Sequence, residues 1–169
     1  TTPSTNLFSF RVDLSAGAIT VNNDGPADYS SIQAAIAAAN FGDVIKVAGG
    51  TYREALRLQS KRNLTLLGGF SEDFETRSPA VCPSVINAGQ TSTVVSILGS
   101  TAIHLDGFTL ANGNGTFAFG AAHWAGGFIV NGGASNLLSR LTVTNCSAYC
   151  GGGGVIYATD ACTLESSRL

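Results

Sequence analysis

Hydrophobic and polar residues alternate near the start of the chain, over the stretch LFSFRVDL at 7–14. Alternation with a period of two predicts a strand with one buried face. The apolar face consists of Phe8, Phe10, Val12 and Leu14. A second short strand is predicted at 18–21 (AITV), ahead of a turn at NNDGP.

The next segment predicts the chain's one helix, from about residue 30 to 40. Its apolar residues recur at the spacing of one helical face: Ile32, Ala35, Ile36 and Ala39. Ser30 is expected to cap the first turn, with Gln33 completing a capping box, and Gly42 follows the last turn. A helix this short is marginal alone in water, so we expect it to cover one end of a larger fold.

After Gly42 the pattern changes to short apolar runs separated by glycine, asparagine and serine. Examples are DVIKVAGGTY, NLTLLGGF, TVVSIL, AIHLDGFTL, GGFIVNG and NLLSRLTV. Runs of this length with such turn residues are typical of strands, so the chain is predicted to be all-β.

Internal repeats refine this prediction. LDGFTLANG (105–113) aligns with LSRLTVTNC (138–146) at an offset of 33, and GGFIV (126–130) aligns with GGVIY (153–157) at 27. NLTLLGGF resembles AIHLDGF once one glycine is skipped, and SRL recurs 28 residues later at the end of the chain. A period near 30 that holds about three strands predicts stacked coils of a β-solenoid that share one core.

The run of four glycines at 151–154 fits the same prediction. Corners of stacked coils need tight turns, often with positive φ, and close backbone packing, both of which glycine permits. A phosphate-binding loop would need a following helix, and VIY follows instead.

Composition narrows the possible partners. Charged residues make up 12% and the formal net charge is −2, so no basic surface for nucleic acid is expected. No apolar run approaches the ~20 residues of a membrane span. The chain opens with TTPSTN and contains no methionine, which is typical of a processed protein that is extracellular or at the cell surface, its signal peptide removed.

The cysteine count agrees with an oxidising compartment. The four are Cys82, Cys146, Cys150 and Cys162. They lack the paired spacing of a metal site, so disulfides are predicted, with buried free thiols as the alternative. Four cysteines allow three pairings, and the sequence does not select one. No metal site and no cofactor are predicted.

Three stretches resemble a known group. YSSIQAAIAAANFGDVIKVAGGTYRE is similar to the opening of right-handed parallel β-helix proteins of the pectate-lyase-like superfamily. LDGFTLANGNG and GGGGVIYATDACTLESSRL resemble the coil repeats of bacterial surface β-helices of the polymorphic outer-membrane protein type. The resemblance covers roughly 18–169 and implies a right-handed parallel β-helix with a short N-terminal capping α-helix. It implies no single activity, because the superfamily includes lyases, hydrolases, adhesins and inert spacers.

Candidates for catalysis are few. The residue equivalent to Asp106 one repeat later is Ser139, so no row of carboxylates is expected. Asp106 precedes a glycine and is expected to form a turn. His104 has the same strand parity as Asp106 and is expected beside it. Arg53, Glu54 and Arg57 are expected to form a solvated charged rim. No catalytic residue is therefore assigned.

The stretch FAFGAAHWAGGF is rich in aromatic residues. Exposed, it would form a contact patch for sugars or proteins, and buried, it would fill the end of a coil. The residues of this aromatic patch are Phe117, Phe119, His123 and Trp124.

These observations predict two units and one leading function. The single β-helix domain is expected at 18–169, with 1–17 as an N-terminal strand segment. That segment either docks on the last coil of a neighbouring copy or folds back on its own first coil.

The leading function is a secreted or cell-surface structural module that self-associates with copies of itself or with a larger surface assembly, head-to-tail in a filament. The alternative is a carbohydrate-active, lyase-like enzyme or glycan-binding domain. A fragment of a long adhesin is a third interpretation.

Overall fold

The computed structural model describes residues 18–118, 122–157 and 159–169. The predicted strand at 7–14, with Phe8, Phe10, Val12 and Leu14, lies outside the described residues, as does the proposed boundary at 17. The described residues form one helix, α1 (Ile32–Ala38), and sixteen strands. In chain order the strands are β1 (Ile19–Val21), β2 (Val44–Ala48), β3 (Gly50–Tyr52), β4 (Leu56–Gln59), β5 (Arg62–Phe70), β6 (Ser84–Asn87), β7 (Val95–Leu98), β8 (Thr101–Asp106), β9 (Phe108–Ala111), β10 (Thr116–Ala118), β11 (Ala122–Trp124), β12 (Phe128–Asn131), β13 (Asn136–Ser139), β14 (Thr142–Thr144), β15 (Gly154–Tyr157) and β16 (Cys162–Glu165).

Three sheets are entirely parallel. The first has the order β1-β2-β5-β8-β13-β16, the second β14-β9-β6-β3 and the third β15-β12-β7-β4. From β2 onward the chain passes from the first sheet to the second and then to the third, and it repeats this round four times before β16. An antiparallel hairpin, β10–β11, is inserted between the second and third sheets in the third round. The structure is therefore mostly β with parallel sheets, as the sequence predicts.

Equivalent residues of successive rounds lie in register and form columns of apolar side chains, which are fully buried in the middle rounds. In the first sheet one column consists of Ile19, Ile45, Leu66, Leu105, Leu138 and Leu164. In the third sheet a second column consists of Leu58, Ile97, Val130 and Ile156. Because each column packs on the same core, the rounds share one hydrophobic interior.

Helix α1 covers this core at its first end. Ile32, Ala35 and Ile36 are buried against it, as the apolar spacing predicts. The predicted cap is wrong by one residue, because Ser31 rather than Ser30 is the N-cap and accepts a hydrogen bond from the Ala34 N–H. Gln33 does not complete a capping box, and its amide group instead bonds the backbone of β4.

The predicted repeats agree with the strand register in part. The offset of 33 is confirmed, since Leu105 pairs with Leu138 in the first sheet. The resemblance of NLTLLGGF to AIHLDGF is also confirmed by the pairing of β5 with β8. The offset of 27 is wrong by one residue, because Phe128 pairs with Gly154. The repeated SRL is also shifted, since Thr142 bridges to Arg168.

Two different structural requirements explain why glycine occupies the run at 151–154. Gly151 has φ of +70°, the left-handed conformation expected at a corner. Gly154 instead lies against Phe128, where an added Cβ would be 2.3 Å from the ring. The ring fills the space that a side chain of the next round would occupy. Close approach therefore explains Gly154, and positive φ explains Gly151.

Candidate functional site

A buried ion-pair cluster lies at the end of β8. Asp106 Oδ2 accepts from Arg77 Nη2 at 2.6 Å, and Oδ1 accepts from Arg140 Nε and from Ser139 Oγ at 2.8 Å each. Arg140 Nη2 also donates to Oδ2. Only 3% of the Asp106 side chain is exposed, against 20% for Arg77 and 53% for Arg140. The prediction that Asp106 merely forms a turn is therefore incomplete, because its carboxylate is a buried ion-pair centre.

Strand register and one loop bring this cluster together. Ser139 is the residue that pairs with Asp106 in the next round, as the repeat predicts, and Arg140 follows it. Arg77 belongs to the loop between β5 and β6, which folds back over the sheet. In this loop Arg77 Nε donates to the Gly68 carbonyl, and its guanidinium lies 5.7 Å from the ring of Phe70.

The charge states follow from these contacts. Burial alone would raise the pKa of Asp106, but the hydrogen bonds from Arg140, Ser139 and Arg77 outweigh it and hold the pKa at about 2. Burial lowers the pKa of His104, against an opposing effect of the Asp106 charge. At neutral pH the cluster thus contains an ionised carboxylate, two guanidinium groups and a neutral imidazole.

His104 does lie beside Asp106, but not in a catalytic arrangement. Its Nε2 is 3.2 Å from Ser139 Oγ, whose proton is donated to the ionised Asp106. His104 must therefore donate to Ser139 and cannot act as the base that a serine nucleophile needs. The carboxylate orients the serine instead of the histidine. This arrangement is suited to holding the loop on the sheet, not to acyl transfer.

A second carboxylate, Glu54, has a structural partner that the sequence did not reveal. Its two oxygens accept from Ser31 Oγ and from the backbone N–H groups of Ile32 and Gln33, at 2.8–2.9 Å. Arg53 and Arg57 are exposed, as predicted, but Glu54 is half-buried against the first turn of α1. The prediction of a solvated charged rim is wrong for Glu54, because it satisfies the free N–H groups of the helix.

An open groove of about 530 Å³ lies where the second sheet leads into the third; we call it the corner groove. Its polar lining residues are Arg53, Glu54, Asn87, Gln90, Thr91 and Asn112. The floor is held by stacked corners, since Gln90 N–H donates to the Asn112 carbonyl and Gln90 Nε2 donates to that of Asn145. Amide and guanidinium groups on a firm backbone can bind hydroxyl or carboxylate groups.

The aromatic patch is only partly described. Phe117 and His123 pair in the β10–β11 hairpin, whose first strand begins four residues after Asn112 of the corner groove. Trp124 is partly buried, and its carbonyl accepts from Thr93 Oγ1 at 3.2 Å. Phe119 lies outside the described residues. The hairpin thus arises at the same row of corners as the groove.

The four cysteines are free thiols in this structure, so the disulfide prediction gains no support from it. Burial raises the pKa of Cys146 and of Cys162, which pack against the core. Cys82 lies between β5 and β6, and Cys150 lies between β14 and β15.

Within the part of the chain that the structure describes, no group of three or more metal-ligating residues occurs. In that same part, no helix is long and apolar enough to cross a membrane.

Sequence reasoning missed Arg77, Arg140 and the amide groups of the corner groove. Arg140 had a weak signal, because it belongs to the repeated SRL. Arg77 had none, since it is 29 residues from its partner in a loop that interrupts the repeat.

In comparisons with known proteins, the chain matches no family model, no curated protein and no solved structure.

Proposed function

We propose that this chain is a right-handed parallel β-helix that serves as a structural module of a secreted or cell-surface assembly. In this proposal each round is one coil, and the module associates with copies of itself through the last coil. The fourfold cycle through three parallel sheets supports the coil interpretation.

The observation that carries the association is the exposure of core columns at the last round. Ile156 belongs to the same column as Ile97 and Val130, which are 0% exposed, yet Ile156 is 43% exposed. Leu164 is likewise only half-buried, although its column partner Leu138 is 0% exposed. Apolar side chains that are exposed at the last round are suited to packing against a further layer of the same kind.

The edge strand of the last round can also pair with a further strand through its backbone. Among the described residues, β16 pairs only with β13. A strand edge with unpaired N–H and carbonyl groups accepts another strand by β-augmentation. We propose that the strand predicted at 7–14 of a second copy supplies it. Burying its four apolar side chains would contribute about 1.5–3 kcal/mol each before ordering costs.

The test measures assembly of the full 169-residue chain by light scattering and negative-stain electron microscopy. Leu164→Lys places a charge within the exposed end of the core, so we expect monomers where the original chain forms oligomers or filaments. Deletion of residues 1–14 should have the same effect. Assembly that survives both changes would exclude this mode of association.

A matched control separates docking from a general effect of charge. Thr163→Lys adds the same charge to the same strand, but Thr163 is exposed and one residue out of phase with the core column. We expect Thr163→Lys to assemble like the original chain. Circular dichroism of each variant verifies that the β structure is retained.

The second candidate function is binding of an oligosaccharide in the corner groove. It is favoured by the amide and guanidinium lining of the groove and by the aromatic hairpin that begins next to it. Aromatic rings beside hydroxyl-binding groups are the usual composition of a sugar-binding surface.

Titration calorimetry with neutral and acidic oligosaccharides tests this candidate. Arg53→Ala and Gln90→Ala should each weaken binding about tenfold, because each removes hydrogen bonds worth roughly 1–2 kcal/mol. Arg57→Ala is the control, since Arg57 is exposed nearby but does not line the groove. Equal affinity in all three variants would remove the groove from consideration.

A further inference from the structure

Sheet geometry limits which cysteines can form a disulfide. Cys82 packs against Gly49, where an added Cβ would be 3.1 Å from the Cys82 Cα, next to the first strand of the second sheet. Cys146 follows β14, which is two strands beyond β6 in that sheet. Strands are about 4.8 Å apart and a disulfide requires Cα atoms within about 7 Å. Cys82 therefore cannot reach Cys146 or Cys150, which lie in the same loop.

Cys162 is excluded for a related reason. Cys146 and Cys150 precede β15, whereas Cys162 follows it at the start of β16. The four-residue strand β15 therefore separates Cys162 from the loop of Cys146 and Cys150 by about 10 Å, at roughly 3.3 Å per residue. Cys162 is also in the strand that lies three places beyond β5 in the first sheet, so it cannot reach Cys82, which follows β5.

The remaining pair shares a loop that closes on itself. An added Cβ at Gly152 would lie 3.2 Å from the Cys146 carbonyl and 3.9 Å from the Ser147 Cα. The loop is held to the preceding round at both cysteines, because Gly113 N–H donates to Cys146 Sγ and Ala125 N–H donates to the Cys150 carbonyl. Cys146 and Cys150 are thus confined to one short turn.

We propose that Cys146 and Cys150 form the one intrachain disulfide that this fold permits, and that Cys82 and Cys162 remain thiols. The oxidant is a small-molecule disulfide such as oxidised glutathione. One thiolate of the pair attacks it and releases one glutathione thiolate, and the second cysteine then displaces the other glutathione. Two electrons pass to the oxidant, and the two protons end on the released thiols.

Closing this loop fastens the glycine segment that leads into β15. The carbonyls of Gly151, Gly152 and Gly153 accept from the backbone N–H groups of 126–128 in the preceding round, directly after the cysteine pair. A short closed loop restricts the unfolded chain, so oxidation should raise the melting temperature by about 4–8 °C in a chain of this length.

Peptide mapping of the oxidised full-length chain tests the pairing. The folded protein is treated with oxidised glutathione, free thiols are alkylated, and the chain is cleaved with chymotrypsin without reduction. Cleavage after Tyr149 separates Cys146 from Cys150, and cleavage after Tyr157 separates both from Cys162. We expect a linked pair of peptides that contains Cys146 and Cys150 and that reduction separates, with Cys82 and Cys162 alkylated.

Variants decide between this pairing and a general effect of oxidation. The double variant Cys82→Ser/Cys162→Ser should still gain the 4–8 °C increase on oxidation, whereas Cys146→Ser and Cys150→Ser should lose it. A monomer in which Cys82 or Cys162 is bridged would overturn the proposal. Alkylation of all four cysteines in the oxidised, folded chain would overturn it as well.

Discussion

The two ends of the stacked sheets differ in how their core is covered. At the first end α1 lies over the columns, and Val21, Ile32 and Ile36 are at most 1% exposed. At the last round Ile156 is 43% exposed and Leu164 is half-buried. The columns are otherwise continuous, so the difference lies in the cover and not in the strands themselves.

The first end also shows how a short helix is fixed over the core. The helix has only seven residues and is held by groups from distant strands, not by its own caps alone. Glu54 binds its first turn, and the Gln33 amide bonds the Arg57 N–H and carbonyl. An apolar face buries the core, and polar anchors fix its position.

The largest expected effect on the free energy of unfolding comes from replacing a leucine by alanine in one column. The replacement is made once in a middle round and once in the last round. Leu66→Ala should lower the free energy of unfolding by about 3–4 kcal/mol, because Leu66 is fully buried and a cavity would remain. Leu164→Ala should cost about 1 kcal/mol, since its side chain is half-buried in the same column. Urea unfolding monitored by circular dichroism measures both, and equal losses would show that Leu164 is covered as completely as Leu66.

The second prediction concerns Asp106, which ties the fourth round to the loop between β5 and β6. Asp106→Asn should cost about 2–3 kcal/mol, because it leaves Arg77 and Arg140 without a buried anion. Its pKa of about 2 is below the ordinary 3.8, so the ion pairs stabilise the fold above about pH 4. That stabilisation, about 2 kcal/mol, is lost as the pH falls through 2.

Acid unfolding of the two forms provides the measurement. The original chain should lose stability between pH 4 and 2 more steeply than Asp106→Asn, in which this carboxyl cannot titrate. Asp160→Asn is the control, since Asp160 is exposed and should change stability by no more than about 0.5 kcal/mol. Parallel acid curves for the original chain and Asp106→Asn would contradict the assignment.

The smallest expected effect weakens the cover of the first end. Glu54→Gln should cost about 1–2 kcal/mol, because the carboxylate accepts three hydrogen bonds at the start of α1. Arg53→Gln, at the exposed neighbouring residue, should be neutral within about 0.5 kcal/mol. Hydrogen exchange of the α1 amides reports the local effect, and unchanged protection in Glu54→Gln would show that the carboxylate is not an anchor.

Register was predictable where side chains mark the two faces of a strand. The alignment of Leu105 with Leu138 needed only the alternation of large apolar residues. The alignment of GGFIV with GGVIY was off by one residue because glycine marks neither face. In the structure Phe128 lies against Gly154, a pairing that only three-dimensional packing reveals.

The sequence by itself determined the parallel sheets, the position of the helix and most of the core, because hydrophobic periodicity is local and each column repeats it. Only the tertiary structure decided the partners of Asp106 and Glu54. Those partners are 21–34 residues away from the two carboxylates, and their contacts depend on loop paths that no local pattern encodes. The energy of a buried charge depends on which groups surround it, and that is known only once the chain is folded.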